Sequence, residues 1–210
     1  MQGREANCFV MPMGFIASYL FFKSMYDQNG KISMFTDNGT FLQEISWLLI
    51  LSMVYFVIDF ILMIIRFNPK NNIYFLHHAL SIMAIYLVST NYYYLVKYLL
   101  GYLMYELSTP FLNARKHFKR RNITNTFTKI IDVFFLTFFF AIRIIFGTIL
   151  SYRLIPFLYA MGQPHSYLIA LPICLQILNY YWLCQIIAMY LEKKKLGKKY
   201  SNLYVEVKVD

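Results

Sequence analysis

The sequence predicts an all-α fold, a polytopic membrane bundle of about six transmembrane helices. Three observations predict it. The 210 residues are 59% hydrophobic and only 14% charged, whereas a soluble domain carries about a quarter charged residues. Six apolar stretches, near 8–26, 45–66, 73–92, 95–113, 129–150 and 167–191, each approach the roughly 20 residues that a spanning helix needs. The cations sit in short clusters between these stretches, as in the loops of membrane proteins. That placement argues against nucleic acid as the partner of a chain with net charge +10. The 20 Phe and 19 Tyr suit membrane interfaces, where one end of an aromatic ring is wet.

The first stretch contains Pro12, Gly14 and Lys23. No small-residue cleavage site follows it, so it is expected to stay as a membrane helix. The second carries Asp59, the third His77 and His78, and the fourth Glu106, with Pro110 expected to kink the helix or start its exit. The fifth holds Arg143, and the sixth holds Gln176 and Asn179. No internal repeat or second domain is visible. Residues 1–191 read as one transmembrane domain and 192–210 as a basic C-terminal tail containing KKKLGKK. Cys8, Cys174 and Cys184 have no framework spacing, so no disulfide and no zinc site is expected.

Six crossings put both termini on one face. That face carries Arg4, Arg66, Lys70, Arg115, Lys116, Lys119, Arg120, Arg121, Lys129, Lys193, Lys194, Lys195, Lys198, Lys199 and Lys208. The other carries Lys23, Lys31, Lys97 and Arg153, with Arg143 completing the 20 Lys and Arg. The positive-inside bias places the termini in the cytosol or the mitochondrial matrix. Asn38-Gly39-Thr40 is a glycosylation sequon on the opposite face, and Asn122-Ile123-Thr124 one on the positive face.

An ionisable residue inside a span is costly and by default functional. Asp59 lies seven residues before Arg66, His77 and His78 seven and eight after Lys70, and Glu106 nine before Arg115. At a helical rise of about 1.5 Å per residue these sit about 10 to 13 Å inside the positive face. Arg143, fourteen residues past Lys129, comes out deeper, at about 21 Å. Its expected partners are Gln176, Asn179 or a backbone carbonyl. Tyr102, Glu106, Thr109 and Asn113 fall on one face at helical spacing. His77 and His78 point about 100° apart and are not expected to grip one metal ion together. Neither a metal nor another cofactor is expected. A histidine beside a carboxylate can accept a proton from an amine or hydroxyl, so His77, His78 and Glu106 are the candidate catalytic residues. Alternatively the same polar groups only fix helix packing, at about 1 kcal/mol per hydrogen bond.

The segments YFVIDF at 55–60, HHALSIMAIYLVST at 77–90 and YELSTPFLNARKHF at 105–118 resemble the TLC domain, shared by ceramide synthases, translocon-associated membrane proteins and small lipid-linked proteins. FFAIRI at 139–144 and the stretch from Asn179 to Trp182 look similar too. The resemblance covers about residues 4 to 191, and ELSTPF points to the small TLC-domain transmembrane proteins. Ceramide synthases carry a paired histidine, a His-Asp dipeptide and a further Asp. Laid on this chain, His77 and His78 match the pair, Tyr105 and Glu106 stand at the dipeptide, and Thr109 stands at the further Asp.

The resemblance implies a membrane protein that binds or handles membrane lipid without ceramide synthase activity, in the endoplasmic reticulum. A non-catalytic subunit of a larger membrane complex, for instance in the mitochondrial inner membrane, is the alternative. An acyl-CoA-dependent lipid acyltransferase is the third reading. Whether the chain is an enzyme is left open, with the balance toward no.

Overall fold

The computed structural model describes residues 7–25, 39–65, 72–162 and 168–206. Arg4, Lys31, Asn38, Arg66, Lys70, His165 and Lys208 lie outside the described residues. Every described element is a helix, and the order is α1 (Asn7–Met25), α2 (Gly39–Ile65), α3 (Asn72–Thr90), a 3-10 turn (Tyr93–Leu95), α4 (Val96–Leu103), a 3-10 segment (Met104–Ser108), α5 (Thr109–Arg120), α6 (Thr126–Phe138), a π-helical segment (Phe139–Phe146), α7 (Gly147–Ala160) and α8 (Ala170–Glu206). Two compact units form, Met1–Gln176 and Ile177–Asp210. The second contains the C-terminal part of α8, and the basic run KKKLGKK is helical.

Among the described residues four runs are long and apolar enough to cross a bilayer: Ile45–Ile65, Asn72–Thr90, Thr126–Ala160 and Ala170–Glu192. The first expected span is helix α1, whose described apolar stretch, Gly14–Lys23, is shorter. Large apolar side chains remain exposed along the outside, as with Trp47 at 62% and Ile65 at 71%. On a soluble protein such a continuous apolar surface would be an interaction or aggregation site; facing lipid it needs no partner. The chain is therefore an integral membrane helical bundle.

Two expectations change. The fifth span does not end near residue 150: the helical run continues through Ala160, with Tyr152 and Arg153 exposed on it. The fourth does not exit at Pro110. Pro110 opens α5 in its first turn, where its missing N–H costs nothing. The irregularity lies just before it. A proline ring in a helix crowds the carbonyl four residues back, here Glu106, and that carbonyl instead accepts the Thr109 N–H. The chain is accordingly wound as 3-10 across Met104–Ser108, and helix resumes to Arg120.

The core of the first unit is built around α1 and α4. Ala17, Leu20 and Leu100 are essentially inaccessible, together with Ile45 of α2 and Leu158 of α7. Gly14 lets α1 lie directly on the 3-10 segment, since a Cβ there would come 3.0 Å from the backbone N of Leu107. Close approach through small residues is what holds helices together where lipid removes the usual hydrophobic drive. The α5–α6 connection is closed by a capping box: Asn125 Oδ1 accepts the Thr128 N–H (2.9 Å) and the Asn125 N–H donates to Thr128 Oγ1 (3.1 Å). Next to it, Arg115 Nε donates to Asp132 Oδ1 at 2.8 Å, setting the register of the two helices.

Candidate functional site

That register brings Arg143 into the site. Nine residues from Arg115 to Glu106 and eleven from Asp132 to Arg143 cover about 15 and about 16 Å at α and 3-10 rises. The two residues therefore share a level, and Arg143 Nη2 lies 3.8 Å from Glu106 Oε1. The expectation of a deeper, separate Arg143 is corrected. Lys129, from which its depth was counted, sits three residues nearer the helix end than Asp132, the true partner of Arg115.

The expected partners of Arg143 change with it. Its Nε donates to Ser108 Oγ (2.9 Å) and its Nη2 to Thr109 Oγ1 (3.3 Å). The guanidinium also stands 5.6 Å from the Tyr105 ring centre and 5.9 Å from that of Phe139, within cation–π range. Gln176 does meet Arg143, but at the main chain: its Nε2 donates to the Arg143 carbonyl and to Thr148 Oγ1, each at 3.2 Å. The carbonyl is available because Arg143 lies in the π-helical segment, where the regular i→i−4 bonding is interrupted. Asn179 is buried in the other unit.

The histidines part company as the 100° rule expects. His77 Nε2 is 4.0 Å from Glu106 Oε1, and His78 Nε2 is 3.2 Å from Asp59 Oδ2. Their rings stand edge-to-face at 5.5 Å, and Phe56 of α2 packs against both. Both histidines, Glu106 and Arg143 are buried, whereas Asp59 is half-buried. Asp59–His78 is thus the pair at hydrogen-bond distance, and Glu106 stands between His77 and Arg143. Among the described residues no group of three His, Cys, Asp or Glu is placed to hold a metal ion.

The single face proposed for Tyr102, Glu106, Thr109 and Asn113 is split. A 3-10 segment advances about 20° more per residue than an α-helix, about 100° over five residues. Tyr102, above the segment, hydrogen-bonds Ser151 of α7 (2.9 Å). Thr109, below it, meets Arg143, and Asn113 follows one turn further on, half-buried. Helical spacing misses Ser108 for this reason, and Ser151 because it lies just past residue 150, where the fifth span was expected to end. The proline at 110 was the one available signal that the winding changes.

Tyr105 is also part of the network. Its hydroxyl donates to Gln176 Oε1 (3.2 Å), and its carbonyl accepts from Ser108 Oγ (3.0 Å). Gly147 makes room for it, because a Cβ there would overlap the Tyr105 hydroxyl and lie 2.9 Å from Gln176 Oε1. Gly147→Ala is expected to destabilise the fold by about 1–3 kcal/mol, the usual cost of overpacking. Thermal unfolding in detergent micelles checks it; an unchanged midpoint would show that the Tyr105–Gln176 contact is not as described.

A cavity of about 40 Å³ opens beside the polar cluster, lined by His77, Glu106, Tyr102 and Tyr105 together with the apolar Phe56, Ala84, Ile85 and Leu99. A mostly apolar cavity with a few convergent polar groups is the ordinary form of a small-molecule site.

Comparison with known proteins agrees with this architecture. The family model of the TLC domain matches residues 7–188. A TLC domain-containing protein of Acanthamoeba polyphaga mimivirus is 37% identical over 193 residues, covering 89% of this chain and 92% of that protein. The matched region contains every residue of the cluster, from Asp59 to Gln176, and on these grounds the chain belongs to the TLC domain family.

Proposed function

We propose that this protein binds a membrane lipid inside its helical bundle, with the polar cluster at the headgroup end, and that it lacks ceramide synthase activity. The cavity beside His77 and Glu106 carries the reading. It joins buried polar groups to an apolar wall, which is the chemistry of a lipid's polar–apolar junction. The want of synthase activity is supported by two substitutions. Tyr105 and Thr109 stand where ceramide synthases have His and Asp, and both are engaged structurally, Tyr105 with Gln176 and Thr109 with Arg143.

The test is mass spectrometry of lipids co-purified with the protein, compared with Glu106→Gln. The expected result is one enriched lipid class, reduced about tenfold in the variant, a loss of about 1.4 kcal/mol in binding. No enriched class, or equal enrichment in both proteins, overturns the reading. Turnover of an acyl-CoA with a sphingoid base, lost in His78→Ala, would replace it with acyl transfer.

The orientation that goes with this function puts the termini and the Arg115–Lys129 corner on the cytosolic face of the endoplasmic reticulum, following the cation asymmetry. A glycan found at Asn38 supports it. A glycan at Asn122 would invert it.

A further inference from the structure

The α5–α6 corner carries charges that the fold does not use. From Arg115 to Lys129 there are six Lys or Arg and no Asp or Glu. Two of the six are engaged: Arg115 with Asp132 at 2.8 Å, and Lys116 over the Tyr74 ring, 4.9 Å from its centre. The side chains of the other four, Lys119, Arg120, Arg121 and Lys129, are exposed and make no ion pair among the described residues. Helix stability does not account for all of them. Arg120 stands four residues from Lys116, a spacing at which like charges repel. Lys129 is in the first turn of α6, where the helix dipole disfavours a cation.

The corner is held in one shape from both sides. α5 ends in a Schellman motif: the Ile123 N–H donates to the Phe118 carbonyl (3.1 Å) and the Asn122 N–H to the Lys119 carbonyl (3.2 Å), with Asn122 in the left-handed region at φ 53°. α6 opens on the capping box of Asn125 and Thr128. The Phe118 and Phe127 rings meet edge-to-face at 5.9 Å and tie the two helix ends together. The four cations therefore sit on a fixed frame. Two apolar side chains stand exposed beside them, Ile123 at 37% and Phe127 at 56%. In water these would be a cost; cations mixed with aromatic and aliphatic side chains suit the interface of an anionic bilayer.

We infer that this corner is a docking surface for the headgroups of anionic phospholipids in the leaflet it faces. Lys119, Arg120, Arg121 and Lys129 meet the negative headgroups, and Ile123 and Phe127 sit among the uppermost acyl carbons. A zwitterionic headgroup also offers a phosphate, but its own ammonium offsets the charge, so headgroups of net negative charge are favoured. Successive residues of a helix point about 100° apart. Lys119, Arg120 and Arg121 thus span several headgroups and do not converge on one phosphate, so a free phosphate ion does not take the lipid's place. Topology needs such charges only in sum while the chain inserts, whereas the docking surface acts in the folded protein. It is independent of lipid binding inside the bundle.

The experiment places the full-length protein in phosphatidylcholine vesicles and measures, by electron spin resonance, how strongly chain-labelled phosphatidylserine and phosphatidylcholine associate with it. The wild type is expected to favour phosphatidylserine about fivefold. The fourfold variant Lys119→Gln, Arg120→Gln, Arg121→Gln and Lys129→Gln is expected to lose that preference. Arg120→Gln alone is expected to lower it more than Arg153→Gln, which removes an exposed cation at the other end of the Thr126–Ala160 run. Salt at about 1 M, where the Debye length is about 3 Å, is expected to abolish the wild-type preference. Should the fourfold variant not fold, the two single variants and the salt dependence decide. No preference in the wild type, a preference kept by the fourfold variant or at high salt, or equal effects of Arg120→Gln and Arg153→Gln overturns the docking surface. So does displacement of the labelled phosphatidylserine by an equal concentration of inorganic phosphate, which would make the corner a site for a free anion.

Discussion

Arg143→Met is expected to cost about 3–5 kcal/mol of fold stability, the penalty for leaving a buried charge without its partner. The charge left behind is Glu106, 4% exposed and within 3.8 Å of the guanidinium. His77 is at 4.0 Å, too far for a hydrogen bond, and the Thr109 hydroxyl that also meets Glu106 is neutral. Within a bilayer no water replaces the lost cation. Ser108 and Thr109 lose a donor as well, but Ser108 keeps its bond to the Tyr105 carbonyl, so their share is small.

A second variant separates charge from shape. Arg143→Met combined with Glu106→Leu removes both charges, and buried ion pairs replaced as a unit by apolar residues are often neutral in stability. The double variant is expected to recover most of the loss. Reversible unfolding by dodecyl sulfate in mixed micelles gives the free energies. A single variant within 1 kcal/mol of wild type, or a double variant as unstable as the sum of the singles, would contradict the buried pair.

The same pair shows which features were legible in the sequence. Counting residues from the nearest cation brings Asp59, His77, His78 and Glu106 to one level, because α2 and α3 are regular and only the last residues before Glu106 depart from the α rise. Arg143 was misplaced because its reference was wrong. The count began at Lys129, whereas the register of α5 on α6 is fixed by Arg115 and Asp132, a contact between helices that no spacing along the chain reveals. The face through Tyr102 and Thr109 failed for a local reason. It crossed five residues of 3-10 winding, and only Pro110 announced them. His77 and His78 diverge, toward Glu106 and Asp59, because adjacent residues of the regular helix α3 point about 100° apart. Four of the six expected spans, the second, third, fifth and sixth, are long apolar helical runs among the described residues; the length of the fifth was not legible, because its continuation through Tyr152 and Arg153 carries polar groups that read as a loop.

The core around α4 makes the other large effect. Leu100→Ala is expected to cost about 2–3 kcal/mol, toward the lower end of the range for buried leucine in soluble proteins. Leu100 is 0% exposed at the centre of an eight-residue helix packed against α1 and α7. In water the loss would combine transfer of the side chain with the cavity left behind. Here the unfolded helices still lie in lipid, which solvates leucine as well as the core does, so the transfer part falls away. What remains is the dispersion energy of the contacts that the missing methyl groups made. Ile58→Ala is the control, since Ile58 is 51% exposed on the outside of α2 and lipid tails fill the space it leaves. It is expected to change stability by less than about 0.5 kcal/mol. The two variants remove apolar groups of similar size from the same membrane protein, so their difference isolates packing from hydrophobicity. Equal costs would mean that α4 is not the centre of a close-packed bundle.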